Sequence, residues 1–204
     1  MDDNAIRIEH VSKTYHGSLI PAVNDISLDI PSGSKFGLLG PNGAGKTTTI
    51  SILTGLLNYD SGHVYINDMR LEKKYKKIRQ LIGLVPQDIA LYETLSAREN
   101  LRFIAEMYGL KGKQAKQRIE ECLEVVGLAS NGHKQIRKYS GGMKRRINLV
   151  AGILHHPEIL ILLNKEHRKP GFIHFTECTV LDQSHHKDQH HRHQENDSQA
   201  TQIP

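Results

Sequence analysis

A chain of 204 residues, 38% hydrophobic and 24% charged, is long enough for one core with an inserted subdomain. No run approaches the roughly 18 consecutive apolar residues of a membrane span, and the opening MDDNAIRIEHVSKTY lacks a signal-peptide layout, so a soluble cytosolic chain is expected. The formal charge of +5 comes from Lys and Arg scattered through segments such as EKKYKKIRQ and KGKQAKQR without interleaved aromatics, which indicates solvated helix faces and no nucleic-acid partner. Cys122 and Cys178 are the only cysteines, too few and too far apart for a disulfide framework or a zinc site.

In chain order, the alternating runs AIRIEHVSKTY, SLDI and KFGLLG read as strands joined by turns at HGS and PSGS. TTTISILTGLL carries apolar residues at helical spacing, NYDSGHVYIND reads as turn then strand, and LIGLVPQD as a buried strand ending at Pro86. A helical stretch follows, from TLSARENLRFIAEMYGL to QAKQRIEECLEVVGL. Its spacing puts Ile104, Met107 and Tyr108 on one apolar face and Ile119, Cys122, Leu123 and Val126 on another, with Gly109 and Gly127 as stops. YSGGMKRRINLVAGILHH is a further helix, capped by Ser140 and ended by Pro157. His155 and His156 close it, where polar or cationic side chains suit the helix dipole.

EILILL is the last strong element. Beyond Leu163 the character changes: 8 of the last 40 residues are apolar, and 7 of the 13 histidines lie there. FIHFTECTVL reads as one strand; the rest cannot offset its own ordering entropy. Residues 164–204 are therefore expected to be a disordered tail, including His185, His186, His190, His191 and His193, read as tail and not as metal ligands.

GPNGAGKTT, Gly40 to Thr48, fits G-x-x-x-x-G-K-[ST] between a strand and a helix, the context that gives this motif its meaning. Glycines let backbone N–H groups turn inward around phosphate oxygens, and the helix that follows aims its positive end at the same place. Gly40, Pro41, Asn42, Gly43, Ala44, Gly45, Lys46, Thr47 and Thr48 are the expected phosphate site. Lys46 serves the terminal phosphates, and the Thr47 hydroxyl serves Mg²⁺.

Three further features narrow this phosphate-loop chain. YSGGMKRR, LVPQD and VSKTY stand, in order and spacing, as in the nucleotide-binding domain of ABC transporters, which the chain resembles over residues 4–162. YETLSARENLRFIAEMYGL and YSGGMKRR look most like the ATPase subunits of export-type transporters for drugs, antibiotics or sodium. The resemblance implies an α/β phosphate-loop ATPase fold with an N-terminal antiparallel β region and a helical insert at about residues 94–139. Tyr15 would stack on adenine. Gln87 would contact Mg²⁺ and the attacking water and sense the membrane partner. Ser140, Gly141, Gly142 and Met143, with Tyr139 and Met143 departing from the family's L-S-G-G-Q, would cap ATP held by a second subunit in a head-to-tail dimer. The expected ligands are ATP and Mg²⁺. The expected partners are a transmembrane permease and the second ATP-binding subunit, and the expected location is the inner face of the cell membrane, reached through the permease.

The pattern stops at one residue. The family's second phosphate-side strand ends in Asp-Glu, and here those positions hold Leu163 and Asn164. Leu offers nothing to a hydrated cation, and Asn cannot take up a proton near neutral pH. No catalytic carboxylate is retained, so residues 1–163 read as an incomplete ATP-binding domain, truncated after this strand and defective in hydrolysis. Two explanations remain open: a subunit that binds ATP without hydrolysing it, as a regulatory or interaction module, and loss of the reading frame near codon 163. The abruptness of the break favours the second. Either predicts an uncovered sheet edge beside EILILL and a marginal, aggregation-prone chain.

Overall fold

The computed structural model describes residues 4–165 and 176–182. An antiparallel sheet is built first. β1 (Asn4–Lys13) pairs with β2 (Val23–Pro31), and later strands extend the sheet on its other side. β1 buries Ala5, Ile6, Ile8 and Val11, and a register shift between Ile8 and Val11 marks a bulge at His10, whose φ is 51°. β3 (Lys35–Leu38) then leads through the glycine loop to α1 (Lys46–Leu53). β4 (Ser61–Ile66) pairs with β1 and with the short β5 (Met69–Arg70), completing the order β2-β1-β4-β5. α2 (Leu71–Leu81) buries Leu71 and Ile78 and delivers the chain to β6 (Ile82–Val85).

The helical insert follows. α3 (Ala97–Met107) opens on a capping box: Glu99 N–H donates to Ser96 Oγ at 3.2 Å, and Ser96 N–H donates to Glu99 Oε2 at 2.7 Å. α4 (Gly112–Val125) and two 3₁₀ turns, Ala129–Asn131 and Ile136–Lys138, complete it. The insert closes on itself where Ile136 N–H donates to Leu95 O and Arg137 N–H to Glu93 O. Gly109 and Gly127, with φ of 83° and 66°, end α3 and α4. The following amides reach back to Ala105 O and Leu123 O, in the paired-bond stop that glycine favours.

One face differs from expectation. α3 buries Ala97, Asn100, Leu101 and Ala105, whereas Ile104 is half-buried and Met107 is 66% exposed. Ala97, Leu101 and Ala105 follow one another at i, i+4 spacing, and the two small alanines of that stripe let α4 and α5 approach along it, which leaves Met107 outside. On α4, Ile119, Cys122 and Leu123 are buried as predicted, with Val126 partly so.

α5 (Gly141–Ile153) joins the insert to the second sheet. A Cβ at Gly83 on β6 would lie 2.2 Å from Gly152 O, and one at Gly152 would lie 2.4 Å from Val85 Cγ2, so glycine at both places permits this contact. β7 (Ile159–Lys165) runs parallel to β6, and β8 (Thr176–Asp182) runs antiparallel to both β7 and β3, giving the order β3-β8-β7-β6.

β8 lies inside the segment read as a disordered tail, within the stretch FIHFTECTVL that carries strand character, and β7 itself runs on to Lys165. β7 is paired on both sides, so the uncovered edge expected beside it is absent among the described residues. The tail histidines from His185 to His193 lie outside the described residues. Two apolar clusters result. One gathers Ile6, Ile50, Ile52, Val64, Ile78, Ile159 and Ile161 between the sheets and α1. The other gathers Leu101, Leu123, Ile136, Ile147 and Leu154 in the helical part.

Candidate functional site

β3, β7 and β6 share one direction, because β3 and β7 each run against β8. Their C-terminal ends therefore lie at one rim of the sheet, where open α/β sheets bind ligands. β3 leads there to Gly40, β6 to Pro86 and Gln87, and β7 to Leu163 and Asn164. The sequence candidates for phosphate, water and metal chemistry thus converge on one rim.

The glycine loop is shaped by its backbone. Gly43 and Gly45 have φ of 86° and 80°, and a Cβ at Gly45 would sit 2.3 Å from Ala22 O, so no side chain fits there. Gly45 is the N-cap of α1 and makes no side-chain cap, which leaves the first-turn N–H groups to an outside acceptor. Lys46 is only 7% exposed, and its ammonium donates to Gly40 O at 2.5 Å and Pro41 O at 2.7 Å. The charge is held inside the loop where a phosphate can replace those carbonyls. Thr47 is exposed beside it, while Thr48 is buried. Tyr15, 47% exposed, lies on the flank of the loop with its hydroxyl 3.2 Å from Thr48 Oγ1.

At β6 and β7 the rim is tied by α5 residues that the motifs did not single out. Arg145 donates to Pro86 O (2.9 Å), Gln87 O (3.3 Å) and Leu163 O (3.2 Å). Asn148, buried, donates to Pro86 O at 3.1 Å and accepts from Ala90 N–H at 3.2 Å. One guanidinium fork therefore fixes the Gln87 turn against the end of β7. The signal was available: Arg145 and Asn148 are three apart on one helix and hence on one face. Leu163 packs on the apolar cluster that contains Ile159 and Ile161. It extends their alternation and so belongs to the core rather than to a polar site.

Ser140 stands elsewhere, at the start of α5. Its Oγ accepts from Met143 N–H at 3.3 Å, the cap expected from the sequence. Ser140, Gly141 and Gly142 are exposed, and neither glycine has an atom within 4 Å of where a Cβ would be, so this helix start faces open space. Tyr139 is buried instead, its hydroxyl donating to Asn131 O at 2.7 Å.

Beside the Gln87 turn, Ile89, Tyr92, Phe103 and Met107 border an open cleft of about 360 Å³, with Tyr92 and Phe103 edge to face at 5.4 Å. Each of these four side chains is more than a third exposed. At the far end of α5, His155 stacks on Tyr108, ring centroids 3.6 Å apart, with Nε2 3.2 Å from Ile82 O. Burial pushes its pKa down to about 4. Burial likewise raises the Cys122 thiol. Among the described residues no group of three or more His, Cys, Asp or Glu is placed to hold a metal, and no helix is long and apolar enough to cross a membrane.

Comparison with known proteins gives a consistent picture. The family described as ABC transporter matches residues 23–162, ending one residue before Leu163. The linearmycin resistance ATP-binding protein LnrL of Bacillus subtilis (strain 168) is 48% identical over 157 residues, covering 77% of this chain and 50% of LnrL. The daunorubicin resistance ATP-binding protein DrrA3 of Streptomyces coeruleorubidus is 38% identical over 162 residues, 79% of this chain and 51% of that protein. The chain thus spans about half the length of the curated relatives it matches. Among solved structures, cbiO1 from Clostridium perfringens, part of the ABC transporter complex cbiONQ, superposes with a TM-score of 0.68 at 26% identity, covering 78% of this chain and 65% of cbiO1.

Proposed function

From the premise that the chain belongs to the ABC transporter ATP-binding family, we propose that it is the ATP-binding subunit of an export-type transporter and turns over its own nucleotide slowly. The observation that carries the first half is the strand–loop–helix at Gly40–Thr48 with the Lys46 ammonium held inside it. The resistance proteins LnrL and DrrA3 support export as the direction.

In this reading Gly43, Gly45, Lys46 and Thr48 hold the ATP phosphates, and Tyr15 lies against the base. The Thr47 hydroxyl and the Gln87 amide would hold Mg²⁺ brought with the nucleotide. Both are neutral oxygen donors that suit a hard cation but bind it weakly without a carboxylate. The exposed Ser140–Gly142 turn, capped and open to an outside anion, serves ATP bound to a second subunit. The apolar cleft of Ile89, Tyr92, Phe103 and Met107, next to the Gln87 turn, seats a cytoplasmic segment of the permease. That contact holds the subunit at the inner membrane face. Slow turnover follows from Leu163 and Asn164, because neither side chain can accept the proton of an attacking water.

The test is Mg-ATP binding and phosphate release measured on one sample, with Lys46→Ala as control. Binding that depends on Lys46, with release slower than about 0.01 of the ordinary 1 s⁻¹ scale of enzymes, is expected. Rapid Lys46-dependent release overturns the slow-turnover half. No binding at all overturns the ATP-binding half. Binding and nucleotide-dependent self-association with no release at all favour the regulatory-module reading.

A further inference from the structure

We propose that the outward face of α2, together with the exposed Leu56 beside it, is a docking surface for an anionic lipid bilayer. This contact is additional to the permease contact proposed above and needs no nucleotide.

Cations are paired differently on α2, α4 and α5. On α4 three cations stand against three acids, with Arg118 3.3 Å from Glu121. On α5 Lys144 pairs with Glu93, and Arg145 and Arg146 donate to backbone carbonyls. α2 carries Lys73, Lys74, Lys76, Lys77 and Arg79 against the single acid Glu72, an excess of four charges in a chain whose formal total is +5. All five cations are exposed, and among the described residues the four lysines have no hydrogen-bond or ion-pair partner. Glu72 is already engaged. Arg70 Nε donates to one of its oxygens at 3.1 Å and the Tyr59 hydroxyl donates to the other, so its charge is balanced by Arg70 and not by the lysines.

A face with this charge and nothing else would simply be solvated. α2 also borders an open cleft of about 700 Å³, walled by Leu56, Leu57, Leu71 and Tyr75. Leu56 is 65% exposed. The cleft is held in shape, because the Tyr75 hydroxyl donates to Gly55 O at 2.6 Å and the Arg79 guanidinium lies over the Tyr75 ring, 5.5 Å from its centroid. An exposed apolar side chain and unpaired ammonium groups therefore meet on one surface. Acidic head groups over an acyl layer present the complementary arrangement. The lysine stems can lie along the apolar wall while their ammonium groups reach the phosphates. A nucleic acid would leave Leu56 without an apolar counterpart, and Tyr75, already tied and covered, offers no free platform for a base.

The test is flotation of the full chain with vesicles of phosphatidylcholine alone and of phosphatidylcholine with about one-third phosphatidylglycerol. Binding about 100-fold stronger to the anionic vesicles, weakened by added salt, is expected. Lys76→Gln/Lys77→Gln should weaken it about 25-fold, roughly fivefold per lysine. Leu56→Ser should weaken it about 3- to 10-fold with the salt dependence retained. Lys113→Gln/Lys116→Gln, an equal loss of charge on α4, should leave it close to the parent. Equal binding to the two kinds of vesicle overturns the proposal, and that comparison needs no variant to fold. Parental binding by the α2 pair at an unchanged thermal midpoint also overturns it. So does equal weakening by the α4 pair, which would reduce the effect to net charge. Displacement of the chain from anionic vesicles by a double-stranded oligonucleotide at equal phosphate concentration overturns the lipid in favour of a general polyanion site.

Discussion

Two helices of this chain begin at glycine-rich turns, and they begin differently. α1 starts at Gly45 with no side-chain cap, under a loop whose carbonyls enclose the Lys46 ammonium. α5 starts at Ser140 with its own cap, in open space. Both present N–H groups to an anion, but the first carries a matching charge and a walled cradle within the chain. The second satisfies one N–H by itself and leaves the rest exposed. In the function proposed above, the difference separates a site that one subunit completes from a surface that is half of a site.

Gly45→Ala attacks the cradle most strongly. The left-handed backbone and the 2.3 Å approach of Ala22 O should together lower stability by more than ~2 kcal/mol, read as a shift in the urea midpoint at unchanged slope. Lys46→Ala should weaken ATP binding about 10- to 100-fold by calorimetry with little loss of stability, the worth of a charge-assisted contact. Arg145→Ala leaves three carbonyls at the rim without their shared donor and should cost about 1–2 kcal/mol, and Arg145→Lys, which keeps the charge but not the fork, should restore only part. Ser140→Ala should cost about 1 kcal/mol through the lost cap while leaving the ATP affinity of the isolated subunit unchanged. A drop in affinity like that of Lys46→Ala would merge the two helix starts into one site and break the comparison.

The smallest effect concerns the far end of α5. His155 has its pKa lowered to about 4 in the folded chain against 6.5 when unfolded, so between those values the unfolded state binds the extra proton. Stability should therefore be full above pH 6.5 and fall as the pH drops toward 4. His155→Phe, which retains an aromatic ring against Tyr108, should flatten that part of the thermal-midpoint profile.

What the sequence made legible was local. The glycine spacing of the phosphate loop, the Ser140 cap and the stops at Gly109 and Gly127 each depend on a few neighbouring residues and were readable without knowing the fold. The Ser96–Glu99 capping box has the same local character and stands in the letters SARE, inside a longer helical pattern. On α3 the apolar spacing points to the face of Met107, but Ala97 and Ala105 take the buried side once a neighbouring helix must come close. The Arg145 clamp needs three segments in place before it means anything. β8 shows the limit most sharply. FIHFTECTVL has visible strand character, but nothing local says that it enters between β3 and β7 or in which direction. The alignment of the family with residues 23–162 stops before it.

That insertion has a consequence for how the molecule is made. Leu38 finds its partner Cys178 only 140 positions later in the chain. During synthesis β3 and β7 must wait beside a vacant lane while everything between them is already out of the ribosome. Closing so distant a pair is slow, because loop entropy is lost before the contact repays it. In that interval another chain's copy of the same segment competes for the lane. Refolding yield should therefore fall as protein concentration rises, and the species that accumulates should be strand-exchanged multimers in which one molecule's β8 completes the sheet of the next.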